Sequence, residues 1–257
     1  MTPIRNARLR LSQGQLFWRE GGRGQTLVFL HGAWSDGNQW RSWLDDLSSR
    51  YHCIVPDLLG FGESERPKLH YSIELEVECL AELLETLRLR QVCLVGDSIG
   101  AWVAASYALR FPDQVQAIVL LNPEGVLLKN QGWQMTHLLH QFPILLKPLR
   151  LIAKLLRRED WLRQQPFERS PVGFKLLFGR RAREIQAESW RDRLTWLKVP
   201  ILLLQGDQDS AAVQAVNKTI AREAPSVQVE TCVGTDSNLC EPEAIAAIDR
   251  FLQNLTR

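Results

Sequence analysis

The chain has 257 residues, 45% of them hydrophobic, and a formal charge of +2 at pH 7. That length carries one large core with room for an inserted subdomain, and the balanced charge excludes a polyanion-binding surface over the whole chain, so no nucleic-acid partner is expected. No run approaches the roughly 18 apolar residues of a membrane span, and the opening MTPIRNARLRLSQGQ has no apolar core of signal-peptide type.

Apolar runs rich in β-branched residues alternate with helical patterns along the chain. Runs 8–12 and 15–20, separated by Gln13-Gly14, predict an antiparallel hairpin at a sheet edge. Runs 26–31, 52–56, 92–96, 117–121, 201–205 and 227–233 follow, most of them apolar throughout, as expected of strands covered on both faces. Segment 71–88 predicts a helix with Ser72 as N-cap and an apolar face through Leu75, Cys79, Leu80, Leu83, Leu84 and Leu87. Further helices are expected at 101–110, 211–223 and 242–255, the last with Pro242 in its first turn. Strand, helix, strand in this order predicts an α/β fold with a mostly parallel, doubly wound, eight-stranded sheet.

Segment 125–198 breaks the alternation. It has no convincing strand and holds Trp133, Trp161, Trp190 and Trp196; between Lys147 and Arg193, 13 Lys and Arg face 6 Asp and Glu. This composition predicts a helical cap at 125–198, inserted in a core made of 1–124 and 199–257. Within it, 145–158 reads as a basic amphipathic helix: Lys147, Arg150, Lys154, Arg157 and Arg158 recur at helical steps opposite Leu145, Leu149, Ile152 and Leu156. Such a helix covers an active site with its apolar face; the sharper alternative is a peripheral contact with an anionic membrane. The five cysteines, Cys53, Cys79, Cys93, Cys232 and Cys240, show neither CxxC nor metal-ligand spacing. They read as buried thiols of a reducing compartment, which points to the cytoplasm, with a cysteine nucleophile as the minor alternative.

The chemistry concentrates at strand ends. Gly96-Asp97-Ser98-Ile99-Gly100 matches G-x-S-x-G, after the strand-like QVCLV and before the helix-like AWVAASYAL. A strand turning sharply into a helix holds Ser98 exposed above the sheet, with the Ile99 N–H facing any developing oxyanion. His31-Gly32-Ala33-Trp34 follows the third strand and would set the Ala33 N–H opposite that of Ile99; His31 itself reads as a brace for this loop. The loop PDLLGFGES at 56–64 lacks any phosphate-binding pattern. Asp207 and Asp209 close the seventh strand; either could orient a histidine, and either could merely cap a helix. Glu124, after the sixth strand, is a further candidate acid.

Taken together, FLHGAW, PDLLGFGES, VGDSIGAW, LLLQGDQD and the terminal EPEAIAAIDRFL make the chain resemble the α/β-hydrolase superfamily over essentially its whole length. The resemblance implies the α/β-hydrolase fold, Ser98 as nucleophile, Asp209 as triad acid, Ala33 and Ile99 as oxyanion donors, and no metal or organic cofactor. HGAW is similar to the loop of small plant esterases and hydroxynitrile lyases, and the capped layout to the carbon–carbon bond hydrolases of aromatic degradation.

One departure is large. The family places its general-base histidine in the loop that reads GTDSNLCEPE here, and the chain's histidines, His31, His52, His70, His137 and His140, all precede it. The histidine position falls on Ser237 in one alignment and on Asp236 in the other. A carboxylate at 236 is too weak a base for a hydroxyl near neutral pH, and His137 or His140 could dip in from the cap. The sequence thus reads as a serine hydrolase of a hydrophobic ester or related carbonyl compound, C–C bonds included, with its base position occupied by Ser237 as in an inactivated variant. Trp34, Asp97, Trp133 and His137 are expected to line the pocket. The alternatives are a silent ligand-binding relative, similar to the plant gibberellin receptor, and a lyase or isomerase using the same oxyanion hole. The partner is then a small hydrophobic substrate; the oligomeric state is not legible.

Overall fold

The computed structural model describes residues 3–127, 170–235 and 238–255. Strands β1 (Arg5–Arg10), β2 (Gln15–Gly21), β3 (Thr26–Leu30), β4 (His52–Asp57), β5 (Val92–Asp97), β6 (Val115–Leu121), β7 (Ile201–Gly206) and β8 (Val227–Cys232) form one sheet among the described residues. Their order is β1-β2-β4-β3-β5-β6-β7-β8. The hairpin β1/β2 and the pair β2/β4 are antiparallel; every other pairing is parallel. Strand β1 sits three residues upstream of the expected run. It pairs from Arg5↔Glu20 to Arg10↔Gln15, and the connection then needs Leu11 to Gly14, closed by Leu11 N–H on Gly14 O at 2.9 Å.

Helices α1 (Arg41–Leu47), α2 (Ile73–Thr86), α3 (Ile99–Arg110), α4 (Pro171–Phe178), α5 (Ala182–Glu188), α6 (Ala211–Glu223) and α7 (Glu241–Leu255) accompany the sheet. Strand alternation sends Val28, Leu30, Leu94 and Leu120 to one face, where they meet α2 and α3. It sends Leu27, Phe29, Val95 and Val119 to the other, against α1 and α7. Both faces are dry, which is why these strands are apolar at successive positions. Helix α2 starts where its cap predicts, Ser72 Oγ accepting the Leu75 N–H at 3.0 Å. Helix α1 was not expected, although Trp40, Trp43, Leu44 and Leu47, all buried, carry its spacing. Helix α3 begins two residues before the expected 101, because the chain turns helical immediately after Ser98.

The described parts of the expected cap, 125–127 and 170–198, hold α4, α5 and a 3-10 turn at Arg191–Trp196. The basic helix expected at 145–158 lies outside the described residues, as does residue 133. Trp102 of α3 ties this returning segment to the core, its Nε1–H donating to Glu188 O at 3.0 Å. Cys53, Cys79, Cys93 and Cys232 are buried, and burial pushes the thiols of Cys53 and Cys93 up to about 12, so they carry no thiolate near neutral pH. No helix of the described residues is long and apolar enough to cross a membrane.

Candidate active site

Strand β5 and helix α3 are joined by a single residue, Ser98, held at φ 52°, ψ −115°. The turn is possible because its flanks lack side chains. A Cβ on Gly96 would lie 2.5 Å from the Gly100 carbonyl group, and one on Gly100 would lie 2.2 Å from Leu30 O. The Ser98 N–H donates to Leu121 O at 3.1 Å, and its carbonyl accepts from Trp102 N at 3.2 Å and Glu124 N at 3.4 Å. Serine at a helix start usually turns its hydroxyl back onto the first-turn N–H groups; Ser98 makes no such bond. The Ile99 N–H, first of α3, donates to no described residue and lies at the positive end of the helix.

The loop after β3 passes beside this elbow, a Cβ on Gly32 falling 3.5 Å from Ser98 Cβ. Its polar backbone groups can be followed one by one. The Gly32 N–H donates to Gln39 Oε1 at 3.1 Å, and Gln39 Nε2 donates to Asp97 Oδ2 at 2.7 Å. Gly32 O accepts from His31 Nδ1 at 2.9 Å and from Ser35 N at 3.3 Å. Ala33 O accepts from Ser170 Oγ at 2.7 Å. The Ala33 N–H has no acceptor among the described residues. A trans peptide sets N–H opposite C=O, so the bonds on Gly32 O fix where the Ala33 N–H points.

His31 is fully buried. Its Nε2 accepts the Leu58 N–H at 3.0 Å, so Nδ1 carries the proton it gives to Gly32 O. Desolvation holds its pKa below the ordinary value. It is a neutral brace, as its place in HGAW suggests, and has no basic nitrogen left for a proton. His52 bonds Glu20 and Thr26 at the start of β4, and His70 pairs with Glu184 at the surface. None of these three imidazoles is a base for Ser98. His137 lies outside the described residues.

The two acids after β7 separate clearly. Asp207 is exposed, and its Oδ1 accepts the Gly234 N–H at 2.8 Å, so it fastens the loop that follows β8. Asp209 is 6% exposed; its Oδ2 accepts the Gly206 N–H at 3.0 Å. Neither caps α6: that is done by Ser210, whose Oγ accepts from Val213 N at 3.3 Å. The loop after β8 forms a short ribbon, Gly234–Thr235 with Asn238–Leu239; Asp236 and Ser237 lie outside the described residues. Glu124 is half-buried, with its backbone held between Ser98 O and the Trp190 indole.

Trp34 is 43% exposed and stacks on Phe178 at 6.2 Å. A cleft of about 420 Å³ opens beside it, lined by Asp36, Asn38, Asp57, Glu63 and Arg66. Asp97 is half-buried and held by Gln39. Gln39 carried no motif in the sequence. Ser170-Pro171 did carry a helix-start signal, a capping hydroxyl before a first-turn proline.

Comparison with known proteins gives the same frame. A 38% identical stretch of 109 residues matches 2-hydroxy-6-oxo-2,4-heptadienoate hydrolase of Pseudomonas putida, covering 41% of this chain and 40% of that one. A haloalkane dehalogenase of Agrobacterium fabrum is 32% identical over 109 residues, covering 42% and 36%. The chain thus spans about two-fifths of the length of the curated relatives it matches. A thermophilic esterase from Thermogutta terrifontis superposes with a TM-score of 0.74 at 21% identity over 98% of this chain and 99% of that one, a likeness of fold. The family model described as alpha/beta hydrolase fold matches residues 25–241, and with that match the chain belongs to the alpha/beta hydrolase family.

Proposed function

We propose that the chain is built for acyl transfer to water: a serine hydrolase of a hydrophobic ester or a related carbonyl compound. The observation that carries this reading is the pair of N–H groups left without an acceptor, Ala33 and Ile99, beside a serine whose hydroxyl is withheld from helix capping. In the proposed reaction Ser98 Oγ attacks the substrate carbonyl carbon. The carbonyl oxygen takes the negative charge and accepts from both N–H groups, the leaving group departs with a proton, and water then releases the acyl group from Ser98. Asp209, buried after β7, is the carboxylate that would orient and charge-balance a base. The Trp34–Phe178 stack favours an apolar acyl group. The similarity to a hydrolase of a dienoate ketone makes a carbon–carbon bond next to a carbonyl an alternative target.

The base is the missing part. With Ser237 at its position, the oxyanion donors and binding alone leave about 10³ to 10⁴ over the uncatalysed rate, by analogy with triad knockouts. The placement of His31, His52 and His70 in other bonds favours a second reading, a pocket that binds a carbonyl ligand without turning it over. A p-nitrophenyl ester series, acetate to decanoate, separates the two on the chain itself, Ser237→His, and Ser237→His with Ser98→Ala. A hydrolase gains several powers of ten from the first change and loses them with the second. Rates that stay at the parental level for every ester reject the hydrolase reading and leave the binding one.

A further inference from the structure

Helix α4 meets the oxyanion loop end-on. Ser170, its N-cap, is 93% removed from solvent and does two jobs with one hydroxyl: it accepts the Gly173 N–H at 3.3 Å and donates to Ala33 O at 2.7 Å. The fit leaves no slack, since a Cβ on Gly173 would lie 1.9 Å from Ala33 O. Ala33 is flanked by two peptides. The one before it is fixed through Gly32 O by His31 and Ser35; the one after it is fixed only through Ser170 among the described residues. The first sets the direction of the Ala33 N–H; the second sets ψ of Ala33 and so the path of the chain into Trp34, and the loop keeps one position only when both are held.

We infer that Ser170 is a positioning residue for the oxyanion loop: its hydroxyl locks the Ala33 carbonyl, so the segment returning from 125–198 to the core braces the outer end of the loop whose Ala33 N–H is aimed by the bonds on Gly32 O. The catalytic part of this inference rests on the hydrolase reading; the mechanical part does not. The bond joins residues 137 apart in sequence. The loop that carries the donor is therefore braced on both sides only when α4 is docked, and a displacement of that helix loosens it without touching Ser98.

Three substitutions separate the two jobs of the hydroxyl. Ser170→Thr keeps acceptor and donor. Ser170→Asp keeps the cap acceptor but has no proton to give. Ser170→Ala loses both. Hydrogen exchange of segment 31–36, read by mass spectrometry on the chain as it stands, should quicken by about tenfold in the Asp and Ala variants and stay at the parental rate in the Thr variant. In the Ser237→His background, the Asp and Ala variants should lose about tenfold in kcat with KM within a factor of about two, and the Thr variant should not.

Unchanged exchange in the Asp variant overturns the lock, because capping alone would then explain the contact. Altered exchange with an unchanged, Ser98-dependent kcat overturns the catalytic role, and so does a change confined to KM. Absence of any Ser98-dependent turnover in that background rejects the hydrolase reading instead, and the exchange data then decide the lock by themselves.

Discussion

Glu76 shows how one residue can set the pH response of the whole chain. It sits on α2 with its carboxyl fully buried, Oε2 accepting the Leu59 N–H at 3.0 Å and Oε1 without a partner among the described residues. Desolvation raises its pKa to about 8 from an ordinary 4.5, against the pull of the Leu59 bond. Between those two values the native state holds a proton that the unfolded chain has released. The stabilisation is complete below pH 4.5, falls as pH rises, and is gone above about 8. At about 1.4 kcal/mol per pKa unit, the loss across this window is on the order of several kcal/mol. Urea unfolding at pH 5, 6, 7 and 8 should show this slope, and Glu76→Gln, which keeps an acceptor for Leu59, should flatten it. Parallel pH profiles for the two proteins would mean that Glu76 is already ionised when folded. The sequence does not reveal this residue: glutamate reads as solvent-facing, and its partner lies 17 positions upstream on a loop.

At the scale of elements, the elbow depends on backbones passing where side chains usually intervene. Gly100→Ala puts a methyl 2.2 Å from Leu30 O, a backbone atom in the middle of the sheet that has nowhere to move. We expect a cost at the upper end of overpacking, about 3 kcal/mol, and a melting temperature lowered by about 6–12 °C. A shift under about 2 °C would show that β3 and α3 can part more easily than their contacts indicate. This element was legible because its demands are local: small residues at fixed offsets, an apolar strand before and a helix after. The central strands were legible for a related reason, since two dry faces impose apolar residues at successive positions. Gln39 and Ser170 were not legible. Their partners, Asp97 and Ala33, lie 58 and 137 residues away, and ordinary polar side chains carry no trace of such contacts. That Asp209 is buried and Asp207 exposed was not legible either, because both sit in the same short strand-end sequence.

Across the molecule, a buried ion pair stiffens the described end of the segment 125–198 where it meets the core. The Arg180 side chain is 2% exposed and pairs with Glu188, which also accepts the Ile73 N–H at 3.3 Å and so joins the start of α2. Arg180 lies 5.9 Å above the Trp102 ring on α3. Removing one partner strands a buried charge, at about 3–5 kcal/mol; replacing both by apolar groups costs much less. Glu188→Met should therefore lower thermal stability more than the double change Glu188→Met with Arg180→Met. The reverse order in calorimetry would show that the pair stabilises chiefly by attraction rather than by mutual compensation. Because this fastening serves the same helices that present Ser170, it belongs to the site as much as to the fold.

The left-handed backbone at Ser98 has a meaning outside catalysis. A side chain at that φ costs the fold on the order of 1–3 kcal/mol, and glycine there would remove most of it while keeping the turn. A shelf that merely held a ligand against two N–H groups has no use for a hydroxyl on a strained backbone. The serine thus works as a gauge: the chain surrenders stability at one position, and the proposed nucleophile is what would be kept in exchange.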